Sequence, residues 1–275
     1  MQYKGKGFLF DCGEGIQRQI MKAGFNIYSL DYIFISHLHT DHILGLPGLI
    51  ETLDIYDKSN IKIFSPDGIE EFLKCFFFDQ FYTPEIKIEI KSLETKDTPF
   101  SVIDNSEFSV VGISLNHIIE CTGFSFIEKP KRKFVKEKIE ELKLKTEDFI
   151  NLRKKGYIKR DGKIVTEEEI TEEIKGFKFT YIPDTYKTDN IIKLAKDSDI
   201  LVIECTYLDE EEKAGKYGHL TLDYIIEITP ELNCKKIVLT HFSRRYKNLE
   251  KFMKKIRKSG LKNIVLGEDF MIFDF

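Results

Sequence analysis

One stretch limits what this chain can become: Ser36-His37-Leu38-His39-Thr40-Asp41-His42. Three of the chain's six histidines, with an aspartate, fall between His37 and His42. An apolar run from Tyr32 to Ile35 leads in, and apolar Ile43, Leu44 and Leu46 follow. The cluster therefore stands where a buried strand leaves the core. Imidazole and carboxylate are donors that suit zinc and similar divalent ions. His37 and His39, two residues apart, can reach one ion from a tight turn, and Asp41 and His42 then point toward a second.

The same pattern recurs along the chain. Gly7 to Gly15 reads as a short strand breaking into a glycine turn, with a helix at Ile16 to Ala23 stopped by Gly24. Strands are expected at Leu30–Ser36, Ile61–Ser65, Lys87–Ile90, Phe108–His117, Gly123–Ile127, Phe177–Ile182, Ile200–Glu204, Ile237–Thr240, Asn263–Leu266 and Met271–Phe273. Helices are expected at Leu49–Tyr56, Gly68–Phe77, Asn190–Lys196, Leu222–Ile228 and Leu249–Lys258. His117, Asp184 and His241 each follow an apolar strand, as the first cluster does. In layered α/β folds such strand ends converge on one rim. Gathered there, His37, His39 and His117 make one site and Asp41, His42 and His241 a second, with Asp184 able to bridge both. Two adjacent metals clamp and deprotonate a water and stabilise the attacking and leaving oxygens of an in-line displacement. That favours hydrolysis of a phosphodiester, or of a cyclic amide or ester.

Composition excludes several classes. The chain has 275 residues, 42% of them hydrophobic, with 23 Phe and no Trp, so Phe and Ile must fill the core. A net charge of −4 gives no global pull toward nucleic acid. Charged residues make up 32%, dominated by Lys and Glu, a composition associated with thermophiles. Five dispersed cysteines without a CxxC pair argue for reduced thiols and a cytoplasmic location, and exclude a cysteine zinc ribbon. The polar start Met1–Gly7 lacks the apolar core of a signal peptide. No apolar run approaches the roughly 18 residues of a membrane span.

One segment differs in texture. From Lys129 to Lys163, 14 Lys and Arg stand against 6 Asp and Glu, and an acidic patch follows at Glu167, Glu168, Glu169, Glu172 and Glu173. The expectation is a single domain over 1–275 interrupted by an inserted basic arm, 128–176, too charged to form core and projecting from the surface.

Taken together these motifs resemble the metallo-β-lactamase superfamily and, more narrowly, the ribonuclease Z family of tRNA 3′-end endonucleases. The matching residues are Phe10-Asp11-Cys12-Gly13-Glu14-Gly15 with Gln17-Arg18-Gln19, then Ser36 to His42 followed by Gly45-Leu46-Pro47-Gly48. His117 before Glu120-Cys121-Thr122-Gly123-Phe124 matches the third metal histidine, and Pro183-Asp184-Thr185 the Asp-Thr element. Glu204-Cys205-Thr206-Tyr207 and Gly218-His219-Leu220-Thr221 resemble two catalytic loops, and Leu239 to Tyr246 the last metal motif.

The resemblance implies an αββα four-layer sandwich and two Zn²⁺ per subunit, with Mn²⁺ or another divalent ion as the alternative. It implies a homodimer acting on pre-tRNA rather than DNA, with no membrane partner. The family cuts pre-tRNA after the discriminator base and leaves a 3′-hydroxyl. Carried over by position, His37, His39, Asp41, His42, His117, Asp184 and His241 are metal ligands, and Asp41 also acts as base toward the attacking water. His219, oriented by Glu204, resembles the general acid. That pair also follows from chemistry, because a departing alkoxide leaves more easily when protonated as the bond breaks. Asp11 is a candidate brace for the metal loop. The basic arm matches the position of the family's tRNA-gripping arm, which makes Lys131, Arg132, Lys133, Arg153, Lys154 and Lys155, with Arg245, candidate RNA contacts.

Two departures from the family pattern stand out. Only nine residues precede Phe10, where the resemblance implies a further strand and a Gly-Thr turn, so that strand is expected to be missing or differently supplied. The arm has Gly156 and Gly162 but no Gly-Pro motif. A small-molecule phosphodiesterase or other hydrolase of the superfamily is the enzymatic alternative. A non-catalytic RNA-binding protein with a structural metal site is the second.

Overall fold

The apolar runs and alternations of the sequence build two β-sheets. The computed structural model describes residues 1–77, 83–160 and 162–274. The first sheet has the order β1-β2-β3-β4-β5, with β1 Gln2–Tyr3, β2 Lys6–Phe10, β3 Leu30–Phe34, β4 Asn60–Ser65 and β5 Lys87–Ser92. Strands β2 to β5 run parallel. At the edge, β1 pairs antiparallel with β2, so a short hairpin turning at Lys4 and Gly5 flanks β2.

The second sheet begins with β6 Phe100–Asp104, β7 Phe108–Ser114 and β8 Thr122–Glu128. An insertion then carries β9 Lys131–Phe134, β10 Tyr157–Arg160, β11 Lys163–Thr166 and β12 Thr171–Ile174. The sheet resumes with β13 Lys178–Ile182, β14 Ile200–Glu204, β15 Lys236–Thr240 and β16 Ile264–Leu266, in the order β16-β15-β14-β13-β8-β7-β6. Strands β13 to β16 are mutually parallel, and β8 is antiparallel to β13.

Strand periodicity explains the layering, since alternate side chains face opposite sides of a sheet. In β2 and β3, Phe8, Phe10, Tyr32 and Phe34 turn toward the second sheet. They meet Phe108, Phe124, Phe126 and Phe179 at ring-centroid distances such as 5.3 Å (Phe8–Phe108) and 5.5 Å (Phe34–Phe124). The interleaved Leu9, Ile33 and Ile35 turn the other way, into a core with Leu46, Leu49, Ile50 and Leu53 of the helix Leu46–Ile55 and with Ile69 and Leu73 of the helix Ile69–Phe77. On the far side of the second sheet, Ile203, Ile237 and Leu239 pack with Ile191, Ile225 and Phe252 of three helices, Asp189–Ala195, Leu222–Leu232 and Glu250–Ser259. The chain is thus an αββα sandwich with phenylalanine between the sheets and aliphatic residues beneath the helices. Each buried Phe, Leu or Ile side chain contributes roughly 1.5–3 kcal/mol of transfer free energy.

Contacts divide the described chain into two compact units, Met1–Ile127 with Lys178–Phe275, and Glu128–Phe177. The smaller unit corrects one expectation. It has a core of its own, Leu152, Ile158, Val165 and Ile170, against which Phe134, Leu142 and Leu144 pack. Ile158 and Val165 are cross-strand partners in the hairpin β10–β11, so a few aligned apolar positions suffice despite the charge around them. The basic and acidic stretches also meet: Glu172 lies opposite Lys133 and Glu173 opposite Arg132 in the β9–β12 pair.

Three local expectations change. Met271–Phe273 is not a strand: it follows Phe270, whose φ is +66°, and Ile272 is 73% exposed. Strand β6 and the helix Glu211–Tyr217 were not expected from the sequence.

Candidate active site

Strands β2, β3, β13, β14 and β15 end on one rim, and the polar residues at or just beyond their ends form the site: Asp11, Ser36 with His37, Asp184, Glu204, and His241. His117 follows β7 through Leu115 and Asn116. His39 precedes the short helix Thr40–Ile43, which carries Asp41 and His42. All six histidines of the chain meet here, linked by ring contacts with centroid distances from 4.1 Å (His37–His42) to 5.9 Å (His42–His241). Two glycines let the loops approach. A Cβ on Gly13 would lie 2.4 Å from the Asp41 carbonyl oxygen, and one on Gly45 would lie 2.1 Å from that of Gly13. In their place, backbone bonds Cys12 N–H to His42 O (2.7 Å) and Gly45 N–H to Cys12 O (2.8 Å) join the two loops.

The surrounding hydrogen bonds decide which ring nitrogen faces inward. Asp11 Oδ2 accepts from His42 Nδ1 (2.7 Å), Ser36 Oγ (2.8 Å) and Tyr181 Oη (2.7 Å), while Oδ1 accepts from Ser36 N–H (2.7 Å). Ser36 Oγ has given its one proton to Asp11, so it accepts from His37 Nδ1 at 2.9 Å. The Gly218 carbonyl accepts from His117 Nδ1 at 2.9 Å. Thr206 Oγ1 lies 2.8 Å from His241 Nδ1 and donates to Glu204 Oε2 at 2.9 Å. Four rings therefore have Nδ1 engaged by these partners and turn Nε2 to the centre, as partners behind metal-binding histidines commonly arrange. His39 is the exception and turns Nδ1 inward, 3.0 Å from His37 Nε2 and 3.3 Å from His117 Nε2.

The inward atoms fall into groups. His37, His39, His117 and Asp184 form one, and Asp41, His42 and His241 another, with ligand atoms in each within 4.8 Å of one another. Asp184 lies between them: Oδ2 is 3.9 Å from His37 Nε2 and 3.6 Å from His42 Nε2, and Oδ1 is 3.3 Å from His241 Nε2. Atoms bound at about 2.0–2.1 Å around a tetrahedral ion stand about 3.4 Å apart, so these spacings fit divalent cations held by nitrogen and oxygen. Asp184 Oδ1 is buried and has no hydrogen-bond partner, a condition a bound cation relieves. A third group, Asp184, His219 and His241, brings His219 to the same centre.

Electrostatics follow the geometry. Burial pushes His37 down to about 3 and lowers His117. Burial also opposes charge on His42, but its bonds to the Asp11 and Asp184 carboxylates outweigh this and push it up to about 10. His241, whose Nε2 lies 3.8 Å from Asp41 Oδ2, brings Asp41 down to about 2. Asp184 loses solvation by burial, yet His42 and His241 hold it well below the usual carboxylate range.

Glu204, 1% exposed, is the second hub. Its Oε1 accepts from Thr185 N–H (3.1 Å), Leu220 N–H (2.9 Å) and His219 Nδ1 (3.0 Å), and its Oε2 from Thr206 N–H (2.9 Å) as well as the Thr206 hydroxyl. With Nδ1 held there, Nε2 of His219 is the nitrogen left for chemistry.

The candidate RNA contacts are placed differently from one another. Within the insertion, Lys131 bonds Glu128, and Arg132 donates to Thr171 Oγ1 (2.7 Å) and the Glu168 carbonyl (3.3 Å). Lys133, Arg153, Lys154 and Lys155 are exposed, the last three in the closing turn of the helix Thr146–Lys155. Arg245 lies in the sandwich, its guanidinium 4.9 Å above the Tyr207 ring, which is 6.1 Å from the His219 ring. Sequence reasoning missed Ser36, Tyr181 and Thr206 as supports. It also passed over the exposed face of the helix Glu250–Ser259. Among the described residues no carboxylate lies within ion-pair distance of Lys247, Lys251, Lys254, Arg257 or Lys258, and a run of such residues directly after a site loop was the available signal.

Comparison with known proteins agrees with this architecture. The family described as anti-Pycsar protein Apyc1 matches residues 1–119, and the beta-lactamase superfamily domain matches residues 169–242. Ribonuclease Z of Archaeoglobus fulgidus is 35% identical over 98% of this chain and 89% of its own length. That of Methanothermobacter thermautotrophicus is 32% identical over 94% and 84%. The crystal structure of human tRNase Z, short form, superimposes with a TM-score of 0.71 at 25% identity, covering 100% of this chain and 90% of that one. Identity of this level over nearly the whole length of both proteins, on a shared αββα fold, shows that the chain belongs to the ribonuclease Z family.

Proposed function

We propose that the protein is a metal-dependent endoribonuclease that removes the 3′ trailer from pre-tRNA and leaves a 3′-hydroxyl on the tRNA. The observation that carries this reading is the Glu204–His219 pair, set beside two groups of metal-ligand type. Family membership and the names of the relatives supply the substrate class.

His37, His39 and His117 would hold one zinc ion and Asp41, His42 and His241 the other, with Asp184 shared; manganese suits the same donors. Such ions supply an activated water and charge stabilisation at the phosphorus. The chain's own groups do the rest. Asp41, kept ionised by His241 and 66% exposed in its side chain, accepts the proton of the attacking water. As the bond from phosphorus to the 3′-oxygen breaks, His219 gives its Nε2 proton to that oxygen while Glu204 holds the ring through Nδ1. Arg245, stacked on Tyr207 beside His219, is placed to meet a substrate phosphate. The uncompensated lysines of the helix Glu250–Ser259 and the exposed cations of the insertion offer further phosphate contacts.

The homodimer is part of the same proposal. Exposed Met21, Tyr28, Ile55 and Tyr56, with Tyr28 against Tyr56 at 5.7 Å, support an apolar contact surface on the first sheet's side. Five free cysteines support a cytoplasmic location. Among the described residues no helix is long and apolar enough to cross a membrane. Incubating the protein with pre-tRNA, zinc or manganese, and then chelator tests the reading. Trailer release that chelator abolishes supports it, and no release with either metal overturns it.

A further inference from the structure

The two carboxylate hubs of the rim are built alike. Asp11 follows β2 and Glu204 ends β14. Each accepts one histidine Nδ1–H directly: Asp11 from His42 at 2.7 Å, Glu204 from His219 at 3.0 Å. Each reaches a second histidine through a hydroxyl. Ser36 Oγ stands between Asp11 and His37, and Thr206 Oγ1 stands between Glu204 and His241. The first hub serves two rings of the candidate metal groups. The second serves one such ring and the proton-donor ring.

We propose that Thr206 is a positioning residue whose hydroxyl joins the proton-donor pair to the metal-facing His241. This rests on reading Glu204 and His219 as that pair. The hydroxyl has one proton and two lone pairs. Three acceptors are within reach of the proton: Glu204 Oε2 at 2.9 Å, the His241 carbonyl at 3.1 Å and, in its other tautomer, His241 Nδ1 at 2.8 Å. The charged carboxylate is the strongest acceptor of the three, so it takes the proton. Only lone pairs then face His241 Nδ1, which must itself carry a proton, and Nε2 is the nitrogen turned toward Asp184 and Asp41.

The same bond limits Glu204. With Oε2 fixed by the hydroxyl and the backbone N–H of Thr206, Oε1 is held toward His219. His241 itself adopts a left-handed φ of +60°, an uncommon conformation for a non-glycine residue, and the Thr206 hydroxyl is one of the contacts made to it there. One hydroxyl thus sets the tautomer of one ring and the orientation of the carboxylate serving the other.

Two substitutions test this in the full chain. Thr206→Val keeps the shape and deletes the hydroxyl, and Thr206→Ser keeps the hydroxyl and deletes the methyl. Zinc affinity is read by competition with a chromophoric chelator. The His241 Nδ1–H signal is read by ¹⁵N-histidine NMR of the zinc-loaded protein, and kcat and KM on pre-tRNA at saturating zinc. Thr206→Val is expected to weaken zinc retention by about 10–100-fold, to lose the Nδ1–H signal and to lower kcat more than KM, with Thr206→Ser near the parent in all three. Parent-like zinc affinity and kcat in Thr206→Val overturn the proposal. So does a Thr206→Ser protein as impaired as Thr206→Val, which would assign the residue to packing through its methyl group. If Thr206→Val does not fold, the serine protein alone decides: parent-like values and a retained signal support the hydroxyl, and loss of either overturns it. If the parent protein fails to cleave pre-tRNA, the functional reading falls, while zinc affinity and the NMR signal still decide the role of Thr206.

Discussion

The Nδ1 atom of His117 lies 2.9 Å from the carbonyl oxygen of Gly218, the residue just before His219. One backbone carbonyl thus ties a ring of the first candidate metal group to the loop that carries the proposed proton donor. Gly218 itself has φ +72°, and a Cβ there would stand 2.8 Å from His117 Nδ1. Gly218→Ala is therefore expected to reduce zinc affinity and cleavage together, with a loss of roughly 1–3 kcal/mol in stability from the strained backbone. Thermal unfolding and chelator competition check it, and an alanine protein with unchanged zinc affinity would separate the two loops.

His219→Ala is expected to slow pre-tRNA cleavage by about 10²–10⁴-fold while zinc content stays at the parent level. Single-turnover kinetics and elemental analysis on one preparation make the check. Loss of one zinc per chain in that variant would instead assign His219 to the group it forms with Asp184 and His241.

Metal uptake is expected to release protons. His42, pushed up to about 10 against burial by its bonds to Asp11 and Asp184, is protonated in the metal-free protein at pH 8, but a ligand must offer a lone pair. Zinc affinity should therefore rise with pH until the value near 10 is passed. The same charged His42 stabilises the metal-free fold below pH 6.5 and loses that contribution as pH climbs toward 10. Calorimetry of zinc binding in buffers of different ionisation heat measures the released protons, and heats independent of buffer would contradict the assignment.

The grouping of these side chains could be read before the fold was known, because candidate ligands at strand ends leave a sequence signature: an apolar run, then His or Asp. His37, Asp184 and His241 all carry it, and the structure brings them together. Ser36 and Thr206 do not, since a hydroxyl acts through its position beside a ring and has no spacing of its own. Tyr181 looked like core, yet its hydroxyl reaches Asp11 across the sheets. Phenylalanine between the sheets was foreseeable from composition, but the pairing of Glu172 and Glu173 with Lys133 and Arg132 was not, because strand partners some forty residues apart share no local pattern. Met271–Phe273 has the apolar texture of a strand, but nothing in that texture reports that it lies exposed beyond the edge strand.

That pairing shifts attention to the sandwich's own cations. Changing Lys251, Lys254 and Lys258 together to Gln is expected to raise KM for pre-tRNA and to flatten its salt dependence by about one unit of slope per lysine that meets a phosphate. Deleting 130–172 provides the comparison for the insertion. Kinetics from low to physiological salt check both, and an unchanged slope in the triple variant would remove this face from the RNA contact.

In the proposed reaction water attacks the scissile phosphate, and the tRNA 3′-oxygen is the leaving group protonated by His219. Cleavage of pre-tRNA in ¹⁸O-water, with both products analysed by mass spectrometry, distinguishes this reaction from its alternatives. One ¹⁸O atom is expected in a 5′-phosphate on the released trailer, with an unlabelled 3′-hydroxyl on the tRNA. A 2′,3′-cyclic phosphate on the tRNA with a 5′-hydroxyl trailer would rule out attack by water and the role of His219 in it.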